Sequence, residues 1–373
     1  MSKTFWIATE QMDQEQREAV ENIPESTSFL IKGSAGSGKT NILLLRAKYL
    51  TFRKLTDFKI IVFTSSLKEF VQEGCVLYSV DPKSAITQMR FFRDILDEHN
   101  VTYDLVDDFE IDRDMLAGKV KSLLDAGKIS HNHCATLLVD EAQDYSDTEL
   151  LVFRGLTKNL VLAADSRQSI YKTTHTPNLL ESLVNNNVVD LKFHYRSGVN
   201  LCKVADAILA DTTAYPRVHG NSKYPEHEQP SSVLPVDCVD FNQQVKNIVS
   251  NLSEQMDLYP DEKIGVLFPK RDQVKEFQSY LSTTKLPMDR IRVDTLHGAK
   301  GWEFRAVHIG GCEALSRMGS VQKRLIYTGI LRGKTSVKIY HSGHLPGYLG
   351  AALAVLSPPV PTPSLDELMK GLS

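Results

Sequence analysis

The sequence predicts an α/β protein made of two halves of similar size, each a parallel sheet covered on both faces by helices. Three observations predict it. Short runs that are apolar on both faces alternate with helical stretches, which is how parallel strands read when helices bury both sides. A glycine-rich loop stands between the first such run and a helix. The chain has 373 residues, which at about 150 residues per domain suggests two domains.

Taken in order, the first half carries strands at 28–31, 59–63, 135–139 and 159–163, with a helix over 41–50 after the glycine-rich loop. The second half carries strands at 264–268, 291–293, 306–309 and 337–340. The break falls near residue 190. This divides the chain into a first unit at 1–190 with a short insertion at about 100–131, a second unit at 191–345 and a Pro-rich tail at 346–373. The stretch 211–235 is polar, rich in Pro, His and Ser, and reads as a surface excursion. Residues 357–363 read as a stiff linker, and 364–369 as a short, loosely docked helix.

Composition narrows the function classes. Hydrophobic residues make up 42% and charged residues 24%, as in ordinary soluble globular proteins. A net charge of −3 excludes a strongly basic nucleic-acid coat protein, though not a local basic groove. The five cysteines, Cys75, Cys134, Cys202, Cys238 and Cys312, are scattered and never form C-x-x-C, which fits a reducing, cytoplasmic setting. No run of 18 apolar residues occurs and no leader is apparent, so no membrane association is expected. His131, His133 and Cys134 have too few partners at ligand spacing for zinc and read as a loop entering a strand.

The loop is Gly33-Ser34-Ala35-Gly36-Ser37-Gly38-Lys39-Thr40, a match to G-x-x-x-x-G-K-[ST] in the strand–loop–helix context that motif needs. Its glycines Gly33, Gly36 and Gly38 let backbone N–H groups turn toward phosphate oxygens at the positive end of the following helix. Lys39 can reach the terminal phosphates, and the Thr40 hydroxyl can ligate Mg²⁺. A second magnesium anchor is expected at the end of a neighbouring strand. Leu137-Leu138-Val139-Asp140-Glu141 supplies it, with Asp140 as the metal anchor and Glu141 as the group that orients or deprotonates a water. Adjacent carboxylates after an apolar strand favour hydrolysis of ATP over phosphoryl transfer to a small molecule.

Asp140-Glu141-Ala142-Gln143-Asp144 resembles motif II of the UvrD/Rep/PcrA-like branch of superfamily 1 helicases, and further elements follow in that family's order. Residues 14–20, with Gln16, resemble the Q motif. Phe63-Thr64-Ser65 resembles motif Ia, residues 165–171 motif III, and His194-Tyr195-Arg196-Ser197 the N-Y-R-S element. Residues 295–304 resemble motif V, and 327–333 motif VI. The resemblance implies two RecA-like P-loop NTPase lobes with ATP in the cleft between them. It implies that Gln16 reads adenine, Gln168 senses the γ-phosphate, Glu303 binds the ribose, and Arg196 and Arg332 reach across the cleft as arginine fingers. Phe63, Thr64, Tyr171 and His297 would line a single-strand path, although Phe63 alone also reads as a core residue.

Three departures matter. Asn41 replaces an Arg that stacks on adenine, residues 172–174 lack a DNA-stacking Trp, and motif VI reads Leu331-Arg332-Gly333. The intervals that hold large accessory subdomains in full-length relatives are short: Thr40 to Asp140 is 100 residues and Arg196 to Thr295 is 99. The expected function is an ATP-dependent translocase or helicase on single-stranded DNA, moving 3′ to 5′. The alternative is a nucleic-acid-stimulated ATPase subunit without strong unwinding, partnering a separate nuclease in repair or antiphage defence.

Overall fold

The structure, a computed structural model, describes residues 6, 12–165, 176, 178–212 and 217–357. Its strands are β1 (Phe29–Gly33), β2 (Phe58–Val62), β3 (Ala85–Thr87), β4 (Cys134–Val139), β5 (Thr157–Ala164), β6 (Val188–Leu191), β7 (Ser232–Cys238), β8 (Ile264–Phe268), β9 (Ile291–Thr295), β10 (Phe304–Ile309) and β11 (Gly333–Ser342). They form a six-stranded sheet in the order β3-β2-β4-β5-β1-β6 and a five-stranded sheet in the order β7-β11-β10-β8-β9. Among the described residues every ladder between strands is parallel. The α/β class with two parallel sheets is therefore as the sequence predicts.

The apolar runs form these strands because helices cover both faces. Phe29, Leu30 and Ile31 of β1 and all of β8 are buried. Parallel strands bring their carboxyl ends to one edge of the sheet, where ligands bind in open α/β folds. The loop after β1, Asp140 after β4 and Asp165 after β5 all emerge at that edge.

Several elements differ from expectation. The 211–235 excursion ends in β7, which pairs with β11 and places Pro235 opposite Ile339. Proline has no N–H for a ladder, so an edge strand is where it is tolerated, and the strand reads poorly in sequence for the same reason. The 18-residue helix Phe241–Leu258 buries Val245, Ile248 and Leu252 on the second sheet. The insertion holds a 17-residue helix, Phe109–Asp125. The segment from 346 does not begin as a tail, because the helix Gly347–Ala354 buries Leu349 and Ala352 in the core. The linker and terminal helix expected beyond it fall at residues 358–373, outside the described residues apart from Ser357. Among the described residues no helix is long and apolar enough to cross a membrane.

A buried histidine in the second sheet makes stability depend on pH. His308 Nδ1 lies 2.9 Å from the Tyr340 hydroxyl and Nε2 lies 2.8 Å from Gln255 Oε1. Burial, and then Lys338, push its pKa down to about 3, against about 6.5 unfolded. The native imidazole stays neutral while the unfolded one takes a proton. This contribution is therefore complete above pH 6.5 and is lost as pH falls toward 3. Its slope approaches about 1.4 kcal/mol per pH unit between those values. Urea denaturation should show a falling midpoint from pH 7 to pH 5, and His308→Leu should remove that component. An unchanged pH slope in the variant would exclude His308 as its source.

Candidate active site

The loop after β1 is shaped by three glycines. A Cβ on Gly33 would lie 2.3 Å from Ser37 Oγ, so the loop could not fold back on itself with any larger residue there. Gly36 and Gly38 have φ of +77° and +90°, a region that favours glycine. A Cβ on Gly36 would also lie 2.6 Å from the Cβ of Arg196. The missing side chain lets the segment at 195–196 lie against the loop, where the Tyr195 N–H donates to the Gly36 carbonyl at 3.1 Å.

Lys39 opens the helix Lys39–Phe52, and its ammonium donates to the carbonyls of Gly33 (2.9 Å) and Ser34 (3.1 Å). Burial lowers its pKa, against the pull of Asp165, Glu141 and Asp140. One residue on, Thr40 Oγ1 donates to Asp140 Oδ2 at 2.8 Å. Burial and the neighbouring Glu141 raise the Asp140 pKa. Burial also acts to raise that of Glu141, but Lys300, Lys39 and Arg332 overcome it and hold this carboxylate ionised. Glu141 has φ +52°, a costly conformation for a residue other than glycine. Gln143 Nε2 donates to Glu141 Oε2 at 2.6 Å, and Gln143 Oε1 accepts from the Asp165 N–H at 2.9 Å. Strained backbone and fixed side chain together aim the carboxylate.

The second sheet's side contributes three more expected residues. Arg332 follows the helix Gln322–Ile330 and donates to the carbonyls of Thr328 and Trp302, each at 3.4 Å. Arg196 forms an ion pair with Glu303. With Gly36, Gly38, Lys39, Thr40, Asn41, Phe70 and Glu141 they line one cleft. Arg196 and Glu303, read separately as a phosphate contact and a ribose contact, are thus partners of each other.

Other expected residues lie elsewhere. Gln16 does not line the cleft. It is 2% exposed, its amide donates to the Ser37 carbonyl at 2.9 Å, and its oxygen caps the Asp13 N–H. These bonds tie it to the glycine loop, with Nε2 3.0 Å from where a Cβ on Gly38 would stand. Phe63 is packed as a core residue. Its ring is 5% exposed and packs edge-on against Phe109 and Tyr145 with the Arg113 guanidinium 4.8 Å from its centre, leaving no face for a base. Thr64 caps the helix Ser65–Leu77 by accepting from the Leu67 N–H at 3.1 Å. His297 is half-buried, and burial, Lys300 and Arg271 lower its pKa. Gln168 and Tyr171 lie outside the described residues.

Phe63→Ala should therefore cost about 3–5 kcal/mol of stability, as truncation of a buried Phe does. The affinity of the folded variant for a fluorescent oligonucleotide should stay unchanged. A selective loss of affinity at unchanged stability would return Phe63 to the strand path.

The sequence reading assigned no role to Lys300, Asp144 or Gln143, although all three sit inside quoted motifs. Lys300 Nζ bonds Asp144 and lies 4.0 Å from Glu141 Oε2. Tyr78 donates to Asn41 Oδ1 at 2.9 Å, tying the residue after Thr40 to the helix Ser65–Leu77.

The residues present fit a magnesium nucleotide. Thr40 and Asp140 offer adjacent hard oxygen donors, the type Mg²⁺ takes together with substrate phosphates. The glycine loop and Lys39 make a cationic cradle, and the buried Ser37 Oγ within it has no hydrogen-bond partner among the described residues.

The family described as an AAA domain matches residues 16–174, which contain the loop, Asp140 and Glu141. Among solved structures, the C-terminal domain of a possible DNA helicase from Lactobacillus plantarum WCFS1 aligns at 18% identity and a TM-score of 0.33. That alignment covers 42% of this chain and 93% of that one. PRRSV helicase aligns at 13% identity and a TM-score of 0.45, covering 88% of this chain and 54% of that one. The chain thus spans about half the length of the PRRSV helicase chain. No curated protein matches.

Proposed function

We propose that this chain hydrolyses ATP with magnesium in response to single-stranded nucleic acid, as a compact motor of the UvrD-like type. One observation carries the reading. Lys39, Thr40 and Glu141 from the first sheet, with Asp140 bonded to Thr40 beneath them, meet Arg196, Glu303 and Arg332 from the second sheet's side on one cleft.

In this reading the units are lobes at about 1–190 and 191–345. Lys39 and the loop N–H groups hold phosphate oxygens. Thr40 and Asp140 hold the magnesium ion, which supplies charge neutralisation at the phosphates when bound. Glu141 orients a water and accepts its proton. Its ionised state beside Lys300 and Lys39 suits it to that task. Arg332 opposes the negative charge that develops on the transferring group. Arg196 exchanges its bond with Glu303 for phosphate, which frees Glu303 for the ribose. The strand is single-stranded DNA travelled 3′ to 5′, and a separately encoded nuclease is the partner if the chain does not unwind by itself.

The test is the ATPase rate with Mg²⁺ alone and with added single-stranded DNA, duplex DNA or RNA. Single-stranded DNA should stimulate most, and stimulation should exceed duplex unwinding by the monomer. The short intervals before Asp140 and Thr295 leave little room for accessory subdomains, and a net charge of −3 gives weak background attraction to duplex phosphates. No stimulation by any nucleic acid would overturn the motor reading. Efficient monomeric unwinding of long duplexes would overturn the minimal-motor part of it.

A further inference from the structure

Lys300 stands in the turn between β9 and β10, so it belongs to the second sheet. The turn is tight: Gly298 N–H donates to Thr295 Oγ1 at 2.9 Å, and Lys300 N–H donates to the His297 carbonyl at 3.2 Å. The next residue, Gly301, has φ +88°, and a Cβ there would lie 2.4 Å from Leu67 Cδ1. Only glycine allows this turn to press so closely on the helix Ser65–Leu77 of the first sheet. The close approach delivers the Lys300 side chain, 3% exposed, into the turn that follows β4.

There Lys300 Nζ bonds Asp144, which is 0% exposed, and lies 4.0 Å from Glu141 Oε2. Asp144 is itself held from the first sheet's side, because its carbonyl accepts from Arg113 Nη2 at 2.9 Å. Arg113 in turn pairs with the fully buried Glu149. Asp144 therefore presents a fixed anchor, and the anchor keeps the ammonium beside Glu141 and off the cleft wall, which Lys300 does not line. Gln143 holds the same Glu141 oxygen from within its own turn. The carboxylate thus has a fixed partner from its own sheet and, in Lys300, a charged neighbour from the other, where Arg332 also acts on it.

We propose that Lys300, anchored by Asp144, is a positioning residue that sets the orientation of Glu141 only when the two sheets' edges are seated together, coupling closure of the cleft to hydrolysis. The inference rests on the ATPase reading above and adds a residue that acts through Glu141 without touching the substrate. Without Lys300, Glu141 keeps its strained backbone and the Gln143 bond but loses the charge that draws it to one side. Misplacement of a reacting group by about 1 Å costs about 10²-fold in rate.

The test uses the full chain with Lys300→Met, Lys300→Arg, Asp144→Asn and the Lys300→Met/Asp144→Asn pair. Lys300→Met should lower kcat by about 10²-fold and leave the affinity for a fluorescent ATP analogue within a few-fold. Lys300→Arg should recover part of kcat. Thermal unfolding without nucleotide provides a second readout. Each single substitution breaks the buried Lys300–Asp144 pair, so the double variant should be less destabilised than the sum of the singles. The pair should still hydrolyse slowly, which separates positioning from folding. A wild-type kcat in Lys300→Met, a defect confined to KM, or additive unfolding in the pair would each overturn the proposal while the ATPase reading stands. A wild-type protein that hydrolyses no ATP under any condition would overturn both.

Discussion

Glu141→Gln should reduce ATP turnover by about 10²–10⁴-fold, the usual contribution of a general base, and leave ATP binding intact. The substitution preserves size and keeps an oxygen for Gln143 Nε2, which now bonds Glu141 Oε2 at 2.6 Å. It also leaves the Thr40–Asp140 contact in place, so the metal anchor survives and only proton acceptance is lost. Lys39→Ala should act differently. Its ammonium ties the loop through the Gly33 and Ser34 carbonyls, so its removal loosens the cradle, leaves two acceptors without that donor and weakens binding together with rate. Phosphate release and nucleotide affinity measured on the same preparations separate the two cases. Wild-type turnover in either variant would remove the assignment of the site.

The sequence reads most clearly where local pattern and tertiary role coincide. Strands β1, β4, β5 and β8 are legible because burial on both faces demands a largely apolar run. Strands β3 and β6 are three and four residues long at the sheet's two edges, where one side needs no apolar partner. The edge strand β7 carries Pro235 and an exposed Leu234, so its pattern resembles a loop. The helix Phe241–Leu258 was readable, since Val245, Ile248 and Leu252 recur at helical spacing.

The candidate site divides in the same way. The loop from Gly33 to Thr40 and the pair Asp140-Glu141 are contiguous, so chemistry and spacing reveal them. Phe63 shows what a motif omits. It follows β2 directly, but position along the chain does not say which face a side chain takes. Phe63 turns into the core and its neighbour Thr64 caps the next helix. Arg196 with Glu303 and Lys300 with Asp144 are contacts between distant parts of the chain. No local pattern carries such pairs, because only the packing of Gly36 against Arg196 and of Gly301 against Leu67 brings them together.

Arg332→Ala should produce the largest loss of all, about 10³–10⁵-fold in turnover, the range found for arginine fingers, with KM little changed. The guanidinium is held by the carbonyls of Thr328 and Trp302 and lines the same cleft as Lys39 and Glu141. Burial lowers its pKa, while Glu141 and Asp165 favour the charged form, and a guanidinium stays protonated in proteins. A fixed cation in a poorly solvated cleft acts most strongly on charge that appears during the reaction, because water screens it least. Loss of the side chain therefore raises the barrier more than it weakens the ground state. Arg332→Lys keeps a charge but not the planar fork, so it should recover only a small part of the rate. Arg196→Ala offers the contrast. It leaves Glu303 without its ion-pair partner, so its effect should include a change in nucleotide affinity as well as in turnover. Steady-state kcat and KM for the three variants, with thermal unfolding to confirm that each is folded, decide the matter. A change confined to KM in Arg332→Ala would make Arg332 a binding residue, with no special action on the transition state.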